Sequence, residues 1–357
     1  MRQAQPAVYG NNSQRGVIWF TDRGAAEANR GCMSKSRREF LQTGAAVAAG
    51  LIGGSQLLHS ESAGHQGPAG TAAQQDSSVQ QVAGAPVQVP RMKFGNVEIS
   101  RMVIGVNPLY GFSHYNNNFS RTMAEWYTQE RVCEVLHRAN AYGINAFNYV
   151  TWKRSPEDWA RFVAEGGTMH LIAQVAAPDD VTALVRNLKP LAVHRQGEVV
   201  DIAYREGKMD TVREWCKQVR DMGVMVGVGT HKPEVIALVE EQGWDVDFYA
   251  GCVYNRTRTA EEWKKVLGGE ILEMPREIYL QSDPARMYAV MRQTKKPCFA
   301  FKILAAGRVE DQAIAGAFRT AFQSIKANDG VFVGMFPRYK DEVKENAEIV
   351  QRILAGA

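Results

Sequence analysis

From residue 100 to residue 356 short apolar runs alternate with longer amphipathic ones, and this alternation constrains the fold more than any motif does. The apolar runs are Met102–Gly105, Ile144–Tyr149, Leu171–Val175, Val200–Ala203, Val224–Gly229, Val246–Tyr249, Cys298–Phe301 and Val331–Gly334. Helical stripes lie between them at Gln129–Tyr142, Pro156–Glu165, Asp179–Leu191, Met209–Met222, Lys232–Gln242, Glu310–Ala327 and Lys340–Leu354. Val212, Trp215 and Val219 show the helical spacing, and Gly223 supplies the stop. Strands that are apolar on both sides and separated by helices belong to a parallel sheet covered on both faces. Eight such units predict an α/β fold of the closed (β/α)8 TIM barrel type. An open doubly wound sheet is the alternative. Its first strand should run into a glycine-rich turn, whereas this one ends Gly105-Val106-Asn107-Pro108. Met92–Ser100 reads as a β-hairpin turning at Gly95-Asn96, placed to plug the bottom of the barrel. The long stretch 257–293 predicts an extra segment between the sixth and seventh strands.

The first ninety residues have a different character. Ser36-Arg37-Arg38-Glu39-Phe40-Leu41-Gln42 is followed by a Gly- and Ala-rich, mildly apolar run from Gly44 to Leu58. Paired arginines before a weak apolar segment resemble a twin-arginine export signal. The run is too short and glycine-rich for a permanent membrane span, which needs about 20 apolar residues. The chain therefore divides into an over-long extension at 1–32, a twin-arginine signal peptide at 33–62, a disordered linker at 63–90 and the barrel at 91–357. The expectation is export through the twin-arginine machinery to a periplasmic or extracellular location. Five cysteines with no CxxC pair permit disulfides without requiring them. A composition of 45% hydrophobic and 22% charged residues excludes a collagenous, disordered or polytopic membrane chain. A net charge of +4 is too small to point to nucleic acid as a partner.

Strand ends at one face of such a barrel bring polar groups together. The candidates are Asn107, Asn148, Gln174, Glu206, His231 and Lys302. Lys302 follows the apolar run Cys298-Phe-Ala-Phe301, where a lysine is costly unless paired or functional. A buried lysine has a lowered pKa and serves as a base or Schiff-base nucleophile, or it closes a salt bridge, here expected to Glu206 or Asp201. His231, after Gly229-Thr230, is an acid/base group or a helix-start residue. His114 lies in a loop rich in Tyr, Asn and Trp, residues that stack on sugars and hydrogen-bond to them, or that serve simply as surface-loop residues. No spacing of His, Cys or carboxylates suggests a metal.

Several segments in order resemble the aldo/keto reductase superfamily over roughly residues 92–356: "FGNVEISRMVIGV", "AYGINAFNYV", "DMGVMVGVGTHKPEVI", "VDFYAGCVYN" and "VFVGMFPRYKDEVKENAEIV". The resemblance implies carbonyl reduction with NADP through an Asp, Tyr, Lys and His tetrad. Those positions fall here on Asn148, Lys153, Gln174 and Glu206, so the tetrad is replaced, and Gly229-Thr230 stands for the Ser-Asn pair that holds the nicotinamide. The resemblance also assigns Phe301 to ring stacking, Arg338 to a phosphate, and Glu345 and Asn346 to the adenine end. The expected function is an enzyme acting on a carbonyl or sugar-like small molecule with an atypical site. The alternatives are a cofactor-independent sugar lyase, epimerase or isomerase using Lys302 and Glu206, or a non-catalytic ligand-binding barrel.

Overall fold

The computed structural model describes residues 86–177, 180–269 and 277–356. The expected extension, the signal peptide and most of the linker lie outside the described residues. A hairpin of β1 (Arg91–Phe94) and β2 (Val97–Ser100) precedes eight strands: β3 (Met102–Gly105), β4 (Ala146–Val150), β5 (His170–Val175), β6 (Ala192–Arg195), β7 (Met225–Thr230), β8 (Phe248–Cys252), β9 (Cys298–Phe301) and β10 (Gly330–Gly334). These eight close on themselves in the order β10-β3-β4-β5-β6-β7-β8-β9, every pairing parallel. The helices are α1 (Asn117–Trp126), α2 (Gln129–Ala141), α3 (Ser155–Ala164), α4 (Asp180–Leu188), α5 (Gly197–Arg205), α6 (Met209–Asp221), α7 (Pro233–Glu241), α8 (Ala260–Leu267), α9 (Asp283–Gln293), α10 (Ile314–Ser324) and α11 (Glu342–Leu354). Helix α8 is the extra segment expected within 257–293.

The hairpin plugs the barrel as its sequence predicts. Gly95 takes the left-handed turn position at φ +61°. Phe94, fully buried, meets Phe248 and Phe299 edge-on at 5.2 Å each. Met92 and Ile99 join the same interior cluster, with Val103, Ala146, Ile172, Ala192 and Phe332.

One expected strand is misplaced. Val200–Ala203 lies inside α5, and the fourth barrel strand is Ala192–Arg195. Within the run Val199-Val200-Asp201-Ile202-Ala203, Val200, Asp201 and Ala203 belong to the buried side of an amphipathic helix, while Ile202 is exposed. The true strand follows the Lys189-Pro190 break, and proline is a poor helix continuation. Every later element keeps its place, but the polar residues tied to this strand move.

Side chains alternate along each strand, and this places the site. Val103, Ala146, Ile172, Ala192 and Phe299 point inward in the lower layers. The next inward positions, two residues on, are Gly105, Asn148, Gln174, His194 and Phe301, and all five line a cavity at the strands' C-terminal mouth.

Candidate active site

The cavity has a volume of about 320 Å³, near the lower end of ligand pockets at about 300–1,000 Å³. One wall is polar, built from Asn107, His114, Asn148, Gln174, His194 and Lys302. The rest of the lining is apolar and aromatic, with Phe119, Phe301, Phe332 and Phe336. Asn148, Gln174 and Lys302 therefore converge as the sequence predicts, and His114 and His194 join them.

Asn148 and His194 form a fixed pair. The Asn148 amide nitrogen faces the Ile172 carbonyl and His194 Nε2, each at 3.1 Å. A carbonyl only accepts, so Asn148 Nδ2 donates to both. His194 Nε2 is then the acceptor, and Nδ1–H points to the Arg195 carbonyl at 3.3 Å. The ring stacks on Phe332 at 6.2 Å. Gly229 makes room for it, since a Cβ there would lie 2.6 Å from the Arg195 carbonyl oxygen and 3.0 Å from His194 Nδ1. Burial holds His194 down at about 4, so the imidazole is neutral at pH 7.

The second cluster is centred on Glu277. Its Oε1 accepts from His114 Nδ1 at 2.6 Å and forms an ion pair with Arg256, whose Nε is 2.5 Å away but not aligned for a hydrogen bond, and its Oε2 accepts from the Tyr279 hydroxyl at 2.6 Å. Lys302 Nζ stands 3.7 Å from Oε2, an ion pair too long for a hydrogen bond. Among the described residues Lys302 Nζ has no hydrogen-bond partner. His114 Nε2 accepts from Asn107 Nδ2 at 3.1 Å, so its Nδ1–H is the group that donates to Glu277. Burial pushes Glu277 up, but Lys302, His114 and Arg256 together outweigh burial and hold it well below the usual carboxylate range. Burial, then Lys302, brings His114 down to about 4. Burial lowers Lys302, with Glu277 opposing.

Backbone strain gathers at the same place. His114 and Lys302 are both left-handed, at φ +55° and +62°, and Ala305 and Ala306 follow at +49° and +53°. A left-handed non-glycine residue costs roughly 1–2 kcal/mol, and such outliers cluster at functional sites. At Lys302 the left-handed turn ends the strand's alternation and brings the amine to the cavity wall.

Other expected site residues lie elsewhere. Glu206 is the C-cap of α5, at the end of the barrel away from the mouth. It is half-exposed and bonds Lys208 at 2.8 Å. Its assignment followed from the misplaced fourth strand. With that strand at Ala192–Arg195, its end carries His194. The partner of Lys302 is Glu277, not Glu206 or Asp201. His231 is buried outside the cavity wall, edge-on to Phe301 at 5.6 Å. Its Nδ1 donates to Asp201 at 2.7 Å, and Thr230 and Thr257 bond the same carboxylate at 2.5 and 3.1 Å. This arrangement ties the middle of α5 to the end of β7. Lys153 is exposed beside Trp152 and does not reach the cavity.

The adenine-end residues divide. Asn346 is buried and lines the cavity, as does the half-buried Phe301. Glu345 pairs with Lys340 at 3.2 Å, and Lys340 also bonds Asp311 at 2.9 Å. Arg338 is exposed and packs over Tyr339. A helix N-terminus favours anions, but carboxylates already occupy this one. Asp341 caps α11, and Glu342 accepts the Phe336 N–H at 2.6 Å. These residues do not fit the phosphate end of an NADP molecule. Among the described residues no group of His, Cys, Asp and Glu is arranged to hold a metal, and no helix is long and apolar enough to cross a membrane. The four described cysteines are free and buried.

The lowered His114 and His194 imidazoles give a pH dependence. Unfolded histidine titrates near 6.5, and both fold with values near 4. Between those values the unfolded chain binds more protons, so stability is full above pH 6.5 and falls as pH drops toward 4. At pH 5 the loss is on the order of 2 kcal/mol per histidine. Urea midpoints at pH 7.5 and pH 5 should show it, and His194→Gln should narrow the difference; an equal difference in that variant would contradict the assignment.

The chain matches no known family profile and no curated protein sequence. Solved structures similar to it include a truncated 3-deoxy-D-arabino-heptulosonate 7-phosphate synthase from Thermotoga maritima, at 11% identity and TM-score 0.46, covering 76% of this chain and 92% of that one. They also include an aldo/keto reductase from Brucella melitensis, at 15% identity and TM-score 0.40, covering 73% and 93%. A sugar phosphate isomerase/epimerase from Parabacteroides distasonis matches at 10% and 0.38, covering 71% and 97%. Barrels of different named activities stand together in this set, and the likeness selects none of those activities.

Proposed function

We propose that this barrel is an enzyme acting on a small, sugar-like carbonyl compound through Lys302 and His114, without a redox cofactor. The observation that carries the reading is the Glu277 carboxylate. One oxygen orients His114, while the other stands 3.7 Å from a Lys302 amine that has no hydrogen-bond partner among the described residues. Lys302 Nζ, deprotonated, attacks the carbonyl carbon; a C–N bond forms, the oxygen takes one proton from the amine and one from solvent, and the C–O bond breaks as water leaves an iminium. The iminium draws electrons from the neighbouring carbon. His114 Nε2, released by Asn107, takes the proton from that carbon and can return it, the chemistry of a lyase, epimerase or isomerase. The Asn107, Asn148 and Gln174 amides are placed to bond substrate hydroxyls.

Borohydride trapping tests this directly. With dihydroxyacetone or glyceraldehyde present, reduction should leave a stable secondary amine on Lys302, found by peptide mass. A protein that gains no such adduct contradicts the reading and favours a ligand-binding barrel. Carbonyl reduction with NADP is the second reading, supported by Asn346 and Phe301 at the same cavity. The carboxylates at the start of α11 weigh against it, and NADPH titration is expected to leave the nucleotide's fluorescence unchanged.

We also propose that the chain is exported by the twin-arginine route. The support is Arg37-Arg38 followed by Phe40-Leu41 and the weak apolar run. Replacing both arginines with lysine should retain the precursor inside the cell; unchanged export of that variant would refute the proposal.

A further inference from the structure

The cavity's aromatic wall continues onto the outer surface. Phe119 and Phe336 line the cavity and meet edge-on at 5.4 Å. Phe119 touches Tyr115 at 6.2 Å on one side, and Phe336 touches Tyr339 at 6.0 Å on the other. The outer two rings are the exposed ones, Tyr115 at 43% and Tyr339 at 73%. Each is backed by a guanidinium, Arg308 over Tyr115 at 5.2 Å and Arg338 over Tyr339 at 5.4 Å. A row of four rings therefore runs across the rim, its middle in the cavity and both ends in solvent.

A free aromatic face in water has a cost, and a ligand with apolar faces removes it. The cavity itself asks for such a two-sided ligand, since it is lined by the Asn148 and Gln174 amides of β4 and β5 and by the Phe301 and Phe332 rings of β9 and β10, across the barrel in the strand order. A pyranose has this character: its C–H faces are apolar and its rim carries hydroxyls. The cavity has room for one such unit, whereas the exposed tyrosines lie outside it and have no role toward a single unit inside.

We propose that the substrate is an oligosaccharide whose terminal unit enters the cavity while the following units leave past Phe336 and stack on Tyr339. This rests on the reading of the cavity as a site for a sugar-sized carbonyl compound. Calorimetric titration with malto-, cello- and laminari-oligosaccharides of one to four units tests it. In at least one series the affinity should rise by about tenfold from one unit to three, equivalent to about 1.4 kcal/mol. Tyr339→Ala should lose that rise while keeping one-unit affinity and the borohydride adduct at Lys302.

Affinity independent of length in all three series, or a rise that survives in Tyr339→Ala, would overturn the proposal. So would a simple arene such as 2-naphthol binding at Tyr339 as tightly as the best oligosaccharide, which would mark an aryl site. Length dependence without a Lys302 adduct would leave the stacking rim standing and remove the amine chemistry. An adduct without length dependence would do the reverse.

Discussion

Lys302→Met is expected to abolish the borohydride adduct and reduce turnover by roughly 10³-fold or more, with no loss of stability. The two halves of this expectation have different causes. The amine is the only group in the proposed reaction that forms a bond to substrate, and a thioether cannot replace it. On the stability side, a buried ammonium without a hydrogen bond is held against its desolvation cost. Removing it ends that cost, and Glu277 keeps Arg256, His114 and Tyr279 as partners. Unfolding should therefore stay within about 1 kcal/mol of wild type or become harder. Lys302→Arg keeps the charge but never presents a neutral amine, so it should also be inactive. A Lys302→Met protein that still forms the adduct would assign the chemistry to another lysine.

Glu277→Gln has the opposite profile, with a large structural cost. The substitution keeps shape and removes charge, leaving Lys302 buried without a carboxylate and Arg256 with Glu198 alone, at 3.4 Å. Breaking a buried pair from one side costs about 3–5 kcal/mol, which decides the matter against the small gain from easier desolvation of glutamine. Glu277 is held far below an ordinary carboxylate, so its stabilisation is full above about 4.5, the unfolded value. It is lost as pH falls from there toward the folded value. The stability gap between wild type and Glu277→Gln should therefore be widest at neutral pH and narrow on acidification below about 4.5. A gap independent of pH would show that the loss comes from packing rather than charge. Glu277 also raises Lys302, so in any folded fraction of the variant the trapping rate should extend to lower pH.

Much of the architecture was legible because it depends on period and alternation. Seven of the eight barrel strands and the hairpin plug lie where the apolar runs indicate. The exception, Val200–Ala203, shows the limit of that reading: four apolar or small residues look alike on a buried strand and on the inner face of a short helix. The error carried one site residue, Glu206, to the wrong end of the barrel and hid His194. The Lys189-Pro190 break was the available signal for the true strand, since strand period two then aims His194 inward beside Asn148. Lys302 stood out as a charge after an apolar run. Its partner Glu277 did not, because no local spacing joins His114 to Glu277, 163 residues apart. That contact arises only when the loops after β3 and β8 fold over the same mouth.

The account turns on Lys302 being a low-pKa amine open to small molecules in the cavity. Trace labelling of all lysines with acetic anhydride across a pH series, followed by peptide mass ratios, reads this one amine against the surface lysines. The account predicts that Lys302 labels with a midpoint clearly below that of the exposed lysines, and that a bound carbonyl ligand protects it. A midpoint equal to or above theirs, or an amine that no reagent reaches in the folded protein, would contradict it.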